Sequence, residues 1–443
     1  MDLKGPAEAG QPSGAGFGGA RGPGTVPAPW PGFTVARLPR ILFGGGTSGQ
    51  LGSVVREFGR RALVVVRSPG FTESPDWARL LAALQTAGVE VSLETVSGEP
   101  SPAVVDEIVA RHRGSGAGSG PGRPASIEVV VGIGGGSVMD TAKAVAGLLI
   151  PGNSVMDHLE GIGPELPYSG PSVPFVAVPT TAGTGSEATK NAVLSRRGAG
   201  GFKKSFRDEA LVARVAVLDP DLLAACPPEL IAANGMDALS QLLESYVSIK
   251  ASPFTDALAL SGLGCVRDGL QAWFEEAAAG RGAAGPGSVA AASRERMSYA
   301  ALCSGICLAQ AGLGSVHGLA SPLGAQFPIP HGVACGAVLV AATRVNIAAL
   351  EARDPANRAL SRYAVAGWMF SGRAGGDDRE ARSALVPALE QLTAHLGVPR
   401  LSAFGITESS IPALVADSRG SSMKTNPIVL TDDEIASILR ASL

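Results

Sequence analysis

The chain has 443 residues, enough for two or three domains and a large core. With 45% hydrophobic and 17% charged residues it has the balance of a globular protein, unlike a disordered or membrane one. A formal net charge of −3 gives no electrostatic case for nucleic acid or an anionic membrane, and an odd count of five cysteines points to a reducing, cytoplasmic compartment.

Residues 1–33, MDLKGPAEAGQPSGAGFGGARGPGTVPAPWPGF, have no apolar segment of the kind a secretory signal carries. Their Gly, Pro and Ala content predicts a disordered tail. No segment is expected to reach the ~18–20 apolar residues that span a bilayer. RALVVVRSPGF is a β-branched run ending in a Pro-Gly turn, as in a buried parallel strand. DWARLLAALQTAGVE follows as an amphipathic helix ending at Gly88, then VEVSLETV as a strand and PAVVDEIVARH as a helix. RGSGAGSGPGRPAS reads as a flexible surface loop. IEVVVGIGGGSVMDTAKAVAGLL is a strand, a glycine turn and a helix, and PFVAVPTTAGTGSE is a strand running into a Gly/Thr loop. Alternation of strand and helix predicts a doubly wound, mostly parallel, Rossmann-like α/β domain over residues 34–224. From Pro227 onward no strand pattern appears, and helical periodicity predicts an all-α domain over 225–443.

Two loops at predicted strand ends suit a ligand. Gly134, Gly135, Gly136 and Ser137 lie between a buried strand and a helix start, where glycine admits close approach and free N–H groups favour a phosphate. Asp140 lies just inside that helix. The alternative is a tight turn without a ligand, because the glycines do not form the GxGxxG fingerprint. In PTTAGTGSE, Thr180, Thr181 and Thr184 are placed to bond a ribose or phosphate, or to serve as ordinary turn residues.

The helical half holds a second concentration of chemistry. Asp237 and Gln241 are four apart in NGMDALSQLLESY and share a helix face. Of the five histidines, His317 and His331 fall in one Gly-punctuated stretch, whereas His112, His158 and His395 sit in polar contexts and receive no role. One carboxylate, two imidazoles and an amide oxygen would make a tetrahedral N/O site for Fe²⁺ or Zn²⁺. Cys303 and Cys307, also four apart, read as buried structural thiols or, less simply, as a metal pair.

Taken in order, ILFGGGTSGQLG, GIGGGSVMDTAK, PTTAGTGSEATKNAVLS, VAVLDPDL, GMDAL, VHGLASPLG, PHGV and KTNPIVLTDDEIASIL resemble the iron-containing (group III) alcohol dehydrogenases. The resemblance runs from about residue 34 to the C-terminus. It implies the dehydroquinate synthase-like architecture, hydride transfer between NAD or NADP and a small alcohol or aldehyde, and a divalent metal held by Asp and His. It also implies a homodimer or larger homo-oligomer. Carried over by position, Gly135, Gly136 and Ser137 resemble the pyrophosphate loop, and Thr180, Thr181 and Thr184 the loop beside the nicotinamide. Asp237, His317 and His331 match three metal ligands.

Three positions depart from the family pattern. Gln241 stands where a ligand His is usual, so only an amide oxygen is offered there. Ser321 stands where many members carry a second His, which leaves proton transfer to Ser321, water or the cofactor ribose. Arg67, in Val66-Arg67-Ser68, replaces a frequent Asp, and a guanidinium there would pair with a 2′-phosphate, favouring NADP. Two other readings follow from these features. One is a superfamily enzyme of dehydroquinate synthase or glycerol-phosphate dehydrogenase type acting on a phosphorylated substrate. Lys203, Lys204 and Arg207 in GFKKSFR would serve it, although they read more simply as the solvated edge of a hairpin turned by RGAGG. The other is a metal-weakened, non-catalytic binding homologue.

Overall fold

The β-branched runs form one sheet, and the helix periodicities cover both of its faces. The computed structural model describes residues 32–67, 70–113, 127–197, 201–373 and 375–443. The tail expected over 1–33, apart from 32–33, and the loop from Arg113 on, apart from Arg113 itself, lie outside these residues. So do the central residues of the RGAGG turn.

The α/β half runs β1 (Arg40–Phe43), α1 (Leu51–Arg56), β2 (Arg61–Arg67), α2 (Pro75–Thr86), β3 (Glu90–Val96), α3 (Pro102–His112), β4 (Val129–Gly134), α4 (Gly136–Leu148), β5 (Phe175–Pro179), β6 (Asn191–Arg196), β7 (Phe202–Arg207) and β8 (Val215–Leu218). Six strands make a sheet in the order β1-β8-β5-β4-β2-β3, and every pairing is parallel. Strands β6 and β7 form a separate antiparallel hairpin. Alternate side chains of β2 face opposite layers. Leu63 and Val65 pack with Val105, Ile108 and Val145 of α3 and α4, while Val64 and Val66 pack with Val54, Trp77, Leu80 and Leu84 of α1 and α2. A strand buried on both faces reads as a continuous apolar run, as RALVVVR does.

Strand order reverses between β2 and β4, the point at which doubly wound sheets open a crevice beyond their strand ends. Asp219, after β8, anchors the first loop by accepting from the backbone N–H of Gly46 at 3.0 Å and of Ser48 at 3.1 Å. This accounts for both the FGGGTSG and the VLDP motifs.

Among the described residues no strand follows Leu218. The helices are α5 (Pro228–Val247), α6 (Pro253–Ala278), α7 (Val289–Ala311), α8 (Ser315–Gln326), α9 (His331–Arg353), α10 (Arg358–Ser371), α11 (Asp378–His395), α12 (Ile411–Asp417) and α13 (Asp432–Ser442). Pro228 opens α5 at its first turn, where a missing N–H costs nothing. Helix α5 is buried almost throughout from Ile231 to Val247 and is the axis of this half. Thr34–Leu443 as a whole makes one compact unit.

The expectation that no segment reaches a membrane-spanning length is corrected at α9. It has 23 residues, and an 18-residue window of them with a mean hydropathy of 1.8 is long and apolar enough by length and composition. Its composition reflects a core position. Val338, Leu339, Ala342 and Leu350 are buried in the same cluster as Met236, Leu239 and Leu243 of α5.

Candidate active site

Three helices bring the polar cluster together. Asp237 lies mid-way along α5, His317 in the first turn of α8, and His331 is the first residue of α9. Their positions are set by tight backbone approaches and buried amides. A Cβ on Gly332 would stand 2.1 Å from the Ala233 carbonyl, so glycine alone lets the start of α9 press against α5. Asn426 of the KTNP motif accepts from the Ser315 N–H at 3.0 Å and donates to Asn346 Oδ1 at 2.8 Å, holding the start of α8.

The resulting geometry is that of a cation site. His317 Nε2 is 3.1 Å from Asp237 Oδ1, and His331 Nε2 is 3.8 Å from the same oxygen. A fourth donor, Cys335 Sγ, lies 3.6 Å from His317 Nε2 and 3.9 Å from His331 Nε2. One donor atom from each of Asp237, His317, His331 and Cys335 falls within 4.8 Å of every other. Asp237 is 1% exposed and Cys335 0%. Glu244 backs the cluster by accepting from His317 Nδ1 at 2.7 Å and from the Val316 N–H at 2.6 Å. A carboxylate can only accept, so Nδ1 carries a proton and Nε2 is the ring atom turned to the cluster, an arrangement common behind metal-ligating histidines.

Electrostatics favour a cation. Burying a carboxylate costs several kcal/mol unless it is compensated, and here Asp237 and Glu244 are both buried. Burial opposes charge on His317, but the Cys335 sulfur and hydrogen bonds to Asp237 and Glu244 outweigh it and hold the imidazole well above its ordinary pKa. In the metal-free chain a proton therefore sits where a cation would otherwise sit. Burial would raise Asp237, yet the two imidazoles and Gln241 bring it below the usual carboxylate range. His331 is lowered, first by burial and then by the Lys203 ammonium. Burial pushes the Cys335 thiol up to about 11.

Gln241 joins the cluster by its nitrogen. Nε2 donates to Asp237 Oδ1 at 3.3 Å, and the buried Oε1 has no partner. In the metal-free chain the amide thus turns its nitrogen, not the expected oxygen, to Asp237, because two acceptors would otherwise face each other. Ser321 lies one turn beyond His317 on α8, and its hydroxyl donates to the Lys203 carbonyl at 3.4 Å. Lys203 is not the solvated edge that the hairpin pattern suggested. Its side chain is 12% exposed, with Nζ 3.6 Å from Glu99, and Arg207 pairs with Glu160 at 2.7 Å.

The two glycine loops meet at the carboxyl ends of β4 and β5. A Cβ on Gly135 would come within 3.1 Å of the Thr181 hydroxyl, and one on Gly136 within 2.9 Å of the Thr184 methyl. Close packing between the loops thus accounts for part of the glycine requirement. The ligand part rests on α4, whose N-cap Gly135 supplies no side-chain cap to the first-turn N–H groups that Gly136 and Ser137 open. Thr184 Oγ1 also accepts from the Ser186 N–H at 3.3 Å, a turn bond, and Thr180 donates its N–H to the Gly134 carbonyl. Asp140 faces the structure: it accepts from Ser186 Oγ at 2.6 Å and lies 3.8 Å from Lys143. Lys143 is wholly buried and donates to Ser186, Thr189 and Asn191, joining α4 to the second loop. Arg67 ends β2, one residue past the Val66–Ile133 register pair, so it stands level with Gly134 across the switch point. It is exposed and has no carboxylate partner among the described residues.

Residue patterns overlooked Glu244, Cys335, Lys143 and Asn426. Glu244 was within reach, being seven residues beyond Asp237 on one helix face, and Cys335 follows His331 by four. Cys303 and Cys307 are buried core thiols, with Cys303 pushed up to about 11 by burial. His112, His158 and His395 pair with Glu94, Asn153 and Glu275, away from the cluster.

A parallel sheet with two glycine loops at its strand ends, together with a buried Asp/His cluster that could hold a cation, is the arrangement expected of a metal-dependent, nicotinamide-linked dehydrogenase. The family described as "Iron-containing alcohol dehydrogenase" matches residues 39–220, and "Fe-containing alcohol dehydrogenase family, C-terminal" matches residues 231–443. "Alcohol dehydrogenase 4" of Schizosaccharomyces pombe is 31% identical over 410 residues, covering 91% of this chain and 87% of that protein. Among solved structures, a 1,3-propanediol oxidoreductase superposes with a TM-score of 0.79 at 26% identity, covering 93% of this chain and 100% of the other. Sulfoacetaldehyde reductase from Bifidobacterium kashiwanohense, in complex with NAD⁺, gives 0.74 at 28% identity over 93% and 98% of the two chains. The chain belongs to the iron-containing alcohol dehydrogenase family and is an oxidoreductase acting on alcohols.

Proposed function

We propose that the chain interconverts a small aldehyde and its alcohol using NADP(H) in preference to NAD(H), with Fe²⁺ or Zn²⁺ held by Asp237, His317 and His331. The observation that carries this reading is the convergence of those three side chains, with Glu244 bonded behind His317. When bound, the cation supplies polarisation of the substrate oxygen and the dihydronicotinamide supplies the hydride to the carbonyl carbon. The chain's own residues do the positioning. Glu244 holds the Nδ1 proton of His317, so that Nε2 is the ring atom left for the cation. The α4 N-terminus at Gly134–Ser137 receives the pyrophosphate, and Thr180, Thr181 and Thr184 line the nicotinamide end. Ser321, held only by a 3.4 Å bond to the Lys203 carbonyl, passes a proton to the substrate oxygen together with water or the cofactor ribose.

Preference for NADP(H) is supported by the unpaired Arg67 at the switch point, where a 2′-phosphate would fall. A phosphorylated substrate is disfavoured because Lys203 and Arg207 are already committed to Glu99 and Glu160. A homo-oligomer in a reducing, cytoplasmic compartment belongs to the same proposal, supported by five free thiols and by β1 and β3, which end the sheet among the described residues.

The test is absorbance at 340 nm over an aldehyde panel, with NADPH and NADH in parallel and metal analysis of each preparation. One equivalent of metal and turnover favouring NADPH are expected, and Asp237→Ala should lose both metal and turnover. Full activity in Asp237→Ala would sink the metal role.

A further inference from the structure

We infer that Cys335 is the fourth protein ligand of the metal centre, taking the place that Gln241 leaves, so that this chain carries an Asp/His₂/Cys site suited to Zn²⁺. The inference rests on the metal reading of the cluster and adds which atoms complete it.

Distances favour the sulfur. A tetrahedral ion with bonds of about 2.0–2.3 Å holds neighbouring ligand atoms about 3.3–3.7 Å apart. The separations found are 3.1 and 3.8 Å from Asp237 Oδ1 to the two imidazoles, and 3.6 and 3.9 Å from Cys335 Sγ to the same rings. Four of the six separations thus fall near those of a coordination tetrahedron, and the other two lie within 4.8 Å. Cys335 follows His331 by one helical turn, so α9 presents both donors from a single face. The pair makes an i,i+4 chelate on α9 of one neutral and one anionic donor, to which Asp237 on α5 adds a second anion.

The amide is the weaker candidate on its own geometry. Gln241 directs Nε2, a donor, at Asp237, and its buried oxygen bonds to nothing in the cluster. A neutral amide oxygen is also a poor match for an ion already held by two imidazoles. A thiolate shifts the donor set toward borderline-soft ions such as Zn²⁺ and away from Mg²⁺ or Ca²⁺. It also adds the negative charge that an amide lacks.

The full chain is prepared metal-free and titrated with Co²⁺, as wild type, Cys335→Ser, Cys335→Ala and Gln241→Ala, with circular dichroism confirming the fold of each. Wild type should show a sulfur-to-cobalt charge-transfer band in the near ultraviolet, saturating at one equivalent. Cys335→Ser and Cys335→Ala should lack the band and bind more weakly, beyond the roughly 10–100-fold that loss of an outer-shell partner costs. Gln241→Ala should keep the band. X-ray absorption on the Zn²⁺ form of wild type should show a sulfur at about 2.3 Å. One equivalent of cobalt without the band, or a band that survives Cys335→Ser, overturns the thiolate assignment while leaving the metal reading intact. No cobalt binding by wild type overturns the metal reading itself.

Discussion

Asp237 and Glu244 share α5 and play different parts in one site. Asp237 faces the cation position, whereas Glu244 bonds His317 from behind. Exchanging Glu244 for Gln keeps the side-chain volume but removes the charge that fixes the His317 tautomer. Glu244→Gln is therefore expected to weaken metal binding about 10–100-fold, read by competition with a chromophoric chelator. An unchanged affinity would reduce Glu244 to a structural residue. The histidines and Asp237 were legible as residues because imidazole and carboxylate are rare in apolar helices. Cys335 was not, because a thiol between Ala334 and Gly336 looks like ordinary core until the face of α9 that meets α5 is known.

The two histidines lie at helix starts, and each start is fixed by contacts distant in sequence. His317 sits two residues into α8, whose first N–H is bonded by Asn426 from 111 residues away. His331 opens α9, which Gly332 seats against Ala233 of α5. Gly332→Ala places a methyl where the Ala233 carbonyl already is, so α9 must move off α5 and take His331 and Cys335 with it. The expected result is loss of bound metal with nicotinamide affinity retained, since the glycine loops belong to β4 and β5. Metal analysis and cofactor fluorescence on the same preparation check this, and stoichiometric metal in the variant would contradict it. Strand and helix identity at this level followed from periodicity, and the parallel pairing followed from continuous apolar runs. The single strongly apolar helix α9 misled a length criterion, because a core helix and a membrane span share composition and differ only in what surrounds them.

Buried polar groups of the α/β half give the whole protein a pH dependence. Burial raises Glu187 from an ordinary 4.5 to about 7. Between those values the folded chain keeps the proton and the unfolded chain has released it, so stability falls as pH rises across that window. The loss is at most about 3 kcal/mol, at roughly 1.4 kcal/mol per unit. Lys143, pushed down to about 8 by burial, acts only above that value and does not overlap. His331, lowered by burial, opposes this below its ordinary 6.5 and the raised His317 adds to it above, equally in both proteins. Glu187→Gln should therefore gain stability relative to wild type as pH rises from 5 to 8 in urea unfolding, and a difference that stays constant over that range would refute this role for Glu187. The sequence by itself determined the alternation of strands and helices, the parallel sheet and the glycine loops, and it offered four metal-ligand candidates, because periodicity and residue type act locally. Only the tertiary structure decided which donors meet. The aim of Gln241, the burial of Lys203 beside Glu99, and the presence of Cys335 at the cluster depend on how α5, α8 and α9 cross, and that is set by close approaches such as Gly332 on Ala233 between segments about a hundred residues apart.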